Sequence, residues 1–173
     1  RRHVSDGSAK LTEIGFNLPT NHFLFDGYRQ ELLAEYKNNL TTSSKIFDGI
    51  KELLDFLKSN EISFGIVTNK PLEYAVPVIK NFMELDNCKV LVCPDHVNKI
   101  KPDPEGILQA CSKLSIDPSE TIYIGDHPKD LEAGIRAGTK TIGCRYGYSL
   151  TDCNVFDGAD LVDSAQEIIS LIQ

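Results

Sequence analysis

The sequence predicts an α/β protein in which helices cover a Rossmann-like parallel sheet, with a helical segment at the N-terminus. Two patterns predict this fold class. After about residue 45, short apolar runs alternate with stretches of helical periodicity, which is the order that parallel strands joined by helical crossovers produce. Before residue 42, the apolar residues recur with helical spacing and without strand-like alternation.

The N-terminal segment is expected to contain two helices. Ser5 can cap a first helix that ends near Gly15, and an apolar stripe predicts a second helix over residues 21–38. The polar run Thr-Thr-Ser-Ser at residues 41–44 is a hinge-like break. We therefore expect two parts, residues 1–41 and residues 42–173.

The second part alternates helices and strands in a regular order. Helices are expected at residues 49–59, 73–83, 104–114, 130–137 and 165–172. Strands are expected at residues 63–67, 89–93, 122–124, 141–144 and 159–162. Such alternation favours one parallel sheet with helices on both faces.

Composition excludes several classes of protein. The 173 residues are 41% hydrophobic and 25% charged, as in an ordinary globular protein. A net charge of −7 without basic clusters argues against a nucleic-acid partner, and no apolar run is long enough to predict a membrane span. The five cysteines are odd in number and lack C-x-x-C spacing, which favours a reducing, cytoplasmic compartment. Oligomeric state stays open.

An acid pair follows the strand expected at residues 122–124. Asp126 stands just past the carboxyl end of that strand, where open α/β sheets bind ligands, and Asp130 follows four residues later. At a strand-to-helix turn the two carboxylates can point at one spot, and a cation would relieve their repulsion. Oxygen ligands without a nearby cluster of His or Cys favour Mg²⁺. A capping loop aspartate with a surface acid behind it fits this stretch equally well.

Two further strand or helix ends carry polar residues that suit phosphate. Thr68 and Asn69 follow the strand at residues 63–67, and Lys101 stands just before a helix that begins near Pro104. A hydroxyl, an amide, an ammonium and a metal-binding acid at one sheet edge can hold a phosphoryl group. Taken singly, each is more often a cap, a turn residue or a solvated lysine. Their joint order along the chain favours the phosphate site.

Three stretches together resemble motifs of a known family. Thr68-Asn69-Lys70-Pro71, Lys101-Pro102-Asp103-Pro104 and Gly125-Asp126-x-x-x-Asp130 are similar to the second, third and fourth motifs of the haloacid-dehalogenase-like hydrolases. Gly143-x-x-x-Gly147-Tyr148 and Gly158-Ala159-Asp160 resemble the phosphoglycolate phosphatase branch. The likeness covers residues 45–173 and extends more weakly into the front end through Val4-Ser5-x-Gly7.

The resemblance implies a fold and a set of roles. Residues 1–41 would be part of a helical cap, and residues 42–173 a Rossmann-like core. Thr68 and Asn69 would bind phosphate, Lys101 would stabilise it, and Asp126 would ligate Mg²⁺ with support from Asp130. The implied activity is hydrolysis of a small phosphomonoester, with 2-phosphoglycolate as one candidate, through an aspartyl-phosphate.

Apart from the resemblance, Arg2 and His3 could bind a substrate carboxylate, although a solvated chain end is the more common arrangement.

One family motif is absent from the sequence. The first motif, Asp-x-Asp-Gly-Thr, supplies the nucleophile and the acid/base aspartate in this family. Two Asp-Gly pairs imitate it, but Leu24 and Ile46 stand where the nucleophile would be, so Asp26 is interpreted as a helix-surface acid and Asp48 as a helix N-cap. The chain opens at Arg1 rather than Met, and we expect the motif in an upstream segment. As given, the chain would then be inactive.

The missing motif also predicts a gap in the sheet. In the family's strand order, the first-motif strand lies between the strands expected at residues 63–67 and 122–124.

Alternatives to the phosphatase prediction are a sugar-phosphate phosphatase or β-phosphoglucomutase-like enzyme, and a non-catalytic fragment that binds phosphate and metal. Thr68-Asn69 argues against the mutase, since related mutases usually carry a serine-rich second motif.

Overall fold

The computed structural model describes residues 6–172, and it divides between Ser44 and Lys45 into two compact units. This division lies three residues beyond the expected boundary after residue 41. Among the described residues, no helix is both long and apolar enough to cross a membrane.

The first unit is a pair of packed helices. Helix α1 spans Ser8–Phe16 and helix α2 spans Phe25–Asn38. Thr12 of α1 is fully buried and its hydroxyl donates to the carbonyl oxygen of Ser8, while the rings of Phe16 and Tyr28 stack with centroids 4.5 Å apart. Gly7 stands at the N-cap of α1, and the expected cap residue Ser5 lies outside the described residues.

The second helix begins later than the sequence predicts. It starts at Phe25 rather than near residue 21, because the chain first turns twice on itself. The N–H of His22 donates to the carbonyl of Pro19, and the N–H of Phe25 donates to the carbonyl of His22. These turn bonds use the backbone groups that an earlier helical start would need. Asp26 is exposed in the first turn of α2, which confirms its interpretation as a helix-surface acid.

The second unit has the expected alternating order and confirms the α/β fold class. Its strands are β1 Ile66–Val67, β2 Leu91–Val92, β3 Ile122–Gly125, β4 Lys140–Cys144 and β5 Asp160–Val162. Its helices are α3 Ile50–Ser59, α4 Leu72–Lys80, α5 Glu105–Leu114, α6 Pro128–Ala137 and α7 Ala165–Ile172. Short 3₁₀ turns lie at Met83–Leu85, Pro94–His96 and Pro118–Glu120.

The start of α3 differs from the prediction. Asp48 was expected to cap this helix, but Gly49 occupies the N-cap position with φ of 80°. A left-handed backbone is readily adopted by glycine and rarely by other residues, so glycine, rather than a capping carboxylate, allows the entry turn here.

The strands form two parallel sheets rather than one. Strand β1 pairs with β2, and β3, β4 and β5 pair in that order. Among the described residues, β1 has no ladder partner besides β2, and β3 has none besides β4. Strands β1 and β3 are the two that the missing first-motif strand was expected to separate, and each has one open edge.

Helices cover both faces of these sheets. On one face, Leu53 and Leu57 of α3 and Ile168 of α7 pack on Ile142 and Val162. On the other face, α5 and α6 contribute a second apolar cluster, against which Val67 of β1 and Tyr123 of β3 pack. Thr68 and Asn69 follow the carboxyl end of β1, and Asp126 follows the carboxyl end of β3.

Candidate active site

Two loops meet through the side chain of Asn69. Its amide nitrogen donates to the carbonyl oxygen of Lys101 at 3.0 Å, and its amide oxygen accepts the N–H of Lys101 at 3.1 Å. This two-way bond joins the loop after β1 to the loop before α5. Asn69 therefore fixes the backbone of Lys101, and its side-chain amide is used for that purpose.

The loop that carries Lys101 is also fixed from α5. Both carboxylate oxygens of Glu105 accept backbone N–H groups, from Asn98 at 2.8 Å and from Lys99 at 2.9 Å. A carboxylate in the first turn of a helix is favoured by the helix dipole, and here it also holds the preceding loop. The lysine consequently leaves a loop with little freedom.

The ammonium group of Lys101 has three partners. Its Nζ atom donates to the carbonyl oxygen of Val67 at 2.8 Å and to the hydroxyl of Tyr123 at 3.0 Å, and it lies 2.7 Å from Oδ1 of Asp130. Burial acts to lower the pKa of Lys101, but the attraction of Tyr123 and Asp130 and their hydrogen bonds outweigh burial, and the pKa is raised. Lys101 therefore stays charged at neutral pH.

Asp130 is a helix cap as well as a counter-ion. Its Oδ2 accepts the N–H of His127 at 3.1 Å, while Nδ1 of His127 accepts the N–H of Lys129 at 3.1 Å, which completes a reciprocal cap at the start of α6. Asp130 is 9% exposed. Both carboxylate oxygens thus have protein partners, and the ammonium of Lys101 supplies the positive charge that the sequence assigned to a metal.

Asp126 is the more open acid of the pair. It follows β3 directly and is half-buried, and its Oδ2 accepts the N–H of Tyr148 at 2.8 Å. The loop containing Gly147 packs on it so closely that a Cβ atom at Gly147 would overlap Cβ of Asp126 and lie 2.5 Å from its Oδ2. The acid is therefore held from one side by the loop after β4.

A magnesium ion fits this donor set through one carboxylate. Among residues 6–172 there is no group of three or more His, Cys, Asp or Glu side chains placed to hold a metal. Mg²⁺ is commonly bound by one or two carboxylates together with water and substrate phosphate, rather than by an all-protein cage. Asp126 offers a hard oxygen donor of this kind at the sheet edge.

Thr68 lies at the carboxyl end of β1. Its N–H donates to the carbonyl of Val92, which extends the strand pairing, and its hydroxyl accepts the N–H of Lys70 at 3.1 Å. This local bond orients the hydroxyl at the start of the loop that also carries Asn69. Arg2 and His3, considered above for substrate binding, lie outside the described residues.

Sequence reasoning missed two contributors to the site. Tyr123 lies in a run expected only to fill the core, yet its hydroxyl bonds the Lys101 ammonium. A polar tip between Ile122 and Ile124 was the available signal. The Gly147-Tyr148 pair belongs to the family pattern, but the spacing of these residues in the sequence does not predict their contact with Asp126.

A parallel α/β architecture that places a threonine, a buried lysine–aspartate pair and a more open aspartate near the ends of its strands is the arrangement expected of a haloacid-dehalogenase-like protein. Residues 13–144 match the family described as haloacid dehalogenase-like hydrolase. The chain belongs to this family.

Two of the similar relatives are phosphatases by name. The chain is 41% identical to an N-acetylmuramic acid 6-phosphate phosphatase of Pseudomonas aeruginosa, over 98% of this chain and 76% of that protein. It is 31% identical to a phosphoglycolate phosphatase of Xanthomonas campestris, over 86% of this chain and 67% of that protein. The resemblance to the phosphoglycolate phosphatase branch is thereby confirmed.

Solved structures share the fold. A crystal structure from Haemophilus somnus, described as a predicted phosphoglycolate phosphatase, superposes with a TM-score of 0.81 at 22% identity. The match covers 95% of this chain and 74% of that one. At this identity the likeness supports the Rossmann-like architecture alone.

Proposed function

We propose that this protein is a Mg²⁺-dependent phosphatase that hydrolyses a small phosphomonoester. The observation that carries the proposal is the Lys101 ammonium, which is held at the sheet edge by Val67, Tyr123 and Asp130 beside the loops of Thr68 and Asp126. A fixed cation beside a hydroxyl and a metal-binding acid suits a phosphoryl group, because the charge on its oxygens needs stabilisation during transfer.

Each predicted residue has a role in this proposal. The Thr68 hydroxyl binds a phosphate oxygen, the Lys101 ammonium stabilises the phosphate through its charge because its three donors have protein partners, and Asn69 acts by fixing the Lys101 loop. Asp126 holds the metal, which when bound neutralises phosphate charge. Asp130 supports the site through Lys101 and the start of α6, which replaces the expectation of a second carboxylate aimed at the ion. Residues 1–41 are assigned to a helical cap domain, of which they form a part, and residues 42–173 to the Rossmann-like core.

The nucleophile is proposed to reside in an upstream segment. Two open strand edges support this. On β1, the N–H groups of Ile66 and Thr68 point to β2, so the N–H groups of Gly65 and Val67 point to the other side. On β3, the pairing with β4 directs the N–H groups of Ile122 and Ile124 away from β4 in the same manner. A parallel strand between β1 and β3 would supply acceptors for these N–H groups on both edges.

Such a strand would end level with Thr68 and Asp126. An aspartate there would attack phosphorus with a carboxylate oxygen, while the bond from phosphorus to the substrate's ester oxygen breaks and the leaving alcohol takes a proton from the acid/base aspartate of the same motif. Water then attacks the aspartyl-phosphate and gives its proton to the acid/base aspartate, which releases inorganic phosphate and restores both carboxyl groups. The chain of residues 1–173 alone is proposed to be inactive.

The first substrate to test is a phosphorylated amino sugar. The relative at 41% identity acts on N-acetylmuramic acid 6-phosphate, whereas the one at 31% acts on 2-phosphoglycolate, so identity favours the sugar. This choice moves the proposal toward the sugar-phosphate alternative that the sequence left open, with 2-phosphoglycolate as the second candidate.

The test compares residues 1–173 alone with the same chain extended by its native upstream sequence. Phosphate release is measured with N-acetylmuramic acid 6-phosphate, 2-phosphoglycolate and glucose 6-phosphate, with and without Mg²⁺. We expect turnover only from the extended chain with Mg²⁺, fastest on the amino sugar. Equal turnover by residues 1–173 would place the nucleophile within them, and no turnover by either would favour the non-catalytic alternative.

A further inference from the structure

Phe47 lies between two tyrosine rings of the loop that follows β4. Its ring centroid is 5.7 Å from that of Tyr146 and 5.8 Å from that of Tyr148, with interplanar angles of 69° and 71°. Both pairs have the edge-to-face geometry that aromatic rings favour. One side chain thus contacts both ends of the segment Tyr146-Gly147-Tyr148.

The same segment packs directly on Asp126. Gly147 leaves no room for a Cβ atom beside Asp126, and the N–H of Tyr148 donates to Oδ2 of that acid at 2.8 Å. A shift of the segment would therefore disturb the contacts that the carboxylate makes with Gly147 and with the Tyr148 N–H.

The two ends of the segment are held to different degrees by the sheet. At its start, the N–H of Arg145 donates to the carbonyl of Val162, which continues the β4–β5 pairing, and Tyr146 packs against the apolar cluster that contains the buried Cys144. Tyr148 lies further from the strand and is 37% exposed. Loss of the Phe47 ring should consequently loosen the Tyr148 end first.

We propose that Phe47 is a positioning residue for Asp126. Its ring clamps Tyr146 and Tyr148, and the clamped loop orients the carboxylate through the Tyr148 N–H. The metal-related part of this inference rests on the proposed function, in which Asp126 is the ligand of the ion. The positioning part rests on geometry alone.

Phe47→Leu removes the ring and keeps an apolar side chain, whereas Phe47→Tyr keeps the ring. Phe82→Leu is the matched control, because Phe82 follows α4, which joins the two strands of the other sheet, β1 and β2. The chain is labelled with ¹⁵N, and two quantities are measured: hydrogen exchange of the Tyr148 amide, and broadening of nearby amide signals by Mn²⁺ used as a paramagnetic substitute for Mg²⁺. Circular dichroism checks that each variant is folded.

In Phe47→Leu the Tyr148 amide should exchange at least about tenfold faster, since two ring contacts no longer hold it. The Mn²⁺ concentration that gives half-maximal broadening should rise by about tenfold. Phe47→Tyr and Phe82→Leu should match the wild type in both measurements.

Unchanged Tyr148 exchange in folded Phe47→Leu would overturn the proposal, as would equal acceleration in Phe82→Leu. If Phe47→Leu does not fold, Tyr148→Leu tests the same contact from the other side and is expected to accelerate exchange of its own residue-148 amide. If the wild type shows no Mn²⁺ broadening while Phe47→Leu still accelerates Tyr148 exchange, the positioning role stands and the metal role of Asp126 fails.

Discussion

The Nζ atom of Lys101 lies 2.7 Å from Oδ1 of Asp130, and the two side chains are each 12% exposed. Charges so far removed from water attract each other more strongly than surface charges do. Asp130 also caps α6 through the N–H of His127. The pair therefore ties the lysine to the start of the helix that follows Asp126, so that one contact serves both stability and the site.

Breaking this pair should be costly. Lys101→Met is expected to lower the free energy of unfolding by about 3–5 kcal/mol, because it leaves the Asp130 carboxylate buried without a counter-charge. Asp130→Asn should also destabilise the fold, and the double variant should lose less than the sum of the two single losses. Urea unfolding followed by circular dichroism gives all four free energies.

The control for this cycle is the surface pair of Lys51 and Asp55, whose side chains are each 63% exposed at a similar separation of 2.7 Å. Lys51→Met should leave stability unchanged within error, because water already screens this pair. Additive losses for Lys101 and Asp130 would mean that the two groups do not interact as the distance indicates.

Glycine at position 147 should be required for the geometry of Asp126. Gly147→Ala places a Cβ atom against Cβ and Oδ2 of Asp126, and the overlap can be relieved only by moving the acid or the loop. We expect a loss of about 1–3 kcal/mol in unfolding free energy from this overpacking, together with weaker Mn²⁺ binding. Gly27→Ala is the matched control.

Gly27 lies in α2, and no atom comes within 4 Å of a Cβ built there. Gly27→Ala should therefore stabilise the protein, by about 0.5–1 kcal/mol, because alanine favours the helix. A stabilising effect of Gly147→Ala would show that the loop is free to move away from Asp126.

The element pattern of the second unit could be predicted because apolar periodicity sets it. The helix at residues 165–172 was predicted with its observed bounds, and every expected strand has a counterpart. Strand lengths could not be predicted as well. The strand expected at residues 63–67 is regular only at Ile66–Val67, although single backbone bonds of Phe64 and Thr68 continue the pairing on either side, since ladder length depends on the neighbouring strand and not on apolar content.

Within the site, residue types were easier to predict than partners. The motifs drew attention to Asn69, Lys101 and Asp130, but spacing does not reveal that Asn69 holds the Lys101 backbone or that Asp130 faces the Lys101 ammonium. Those contacts join residues more than 28 positions apart and depend on how the loops fold over the sheet edge. Whether Asp126 binds Mg²⁺ stays a prediction.

Alkaline pH should weaken the fold through Cys144. Burial raises the pKa of its thiol from 9.0 to about 11, so the folded protein keeps the proton after the unfolded chain has lost it. The stability that the protonated thiol contributes is fully present below pH 9 and is lost as the pH rises to about 11. A shift of this size corresponds to about 2–3 kcal/mol.

Urea unfolding at steps from pH 8 to pH 11 measures this loss. Cys144→Ala should show a shallower decline than the wild type across the range, whatever its absolute stability, because the variant lacks the thiol at position 144. Burial also raises the pKa of Tyr146, so part of the decline should persist in the variant. Identical slopes would mean that Cys144 is not the group responsible.

The open edge of β1 makes a prediction that separates neighbouring residues on one strand. The N–H of Ile66 donates to the carbonyl of Val90 at 2.8 Å, and that of Thr68 donates to Val92 at 2.9 Å, whereas the N–H of Val67 points to the side without a ladder partner among the described residues. In residues 1–173 alone, Val67 should therefore exchange its amide hydrogen at least about tenfold faster than Ile66.

Extension with the native upstream sequence should slow exchange at Val67 and at Ile124 on β3, and leave Ile66 nearly unchanged. Nuclear magnetic resonance resolves the individual amides, and Ile66 is the internal control. If Val67 is already protected as well as Ile66 in the unextended chain, the edge is covered, and the proposal that a strand carrying the nucleophile lies between β1 and β3 must be abandoned.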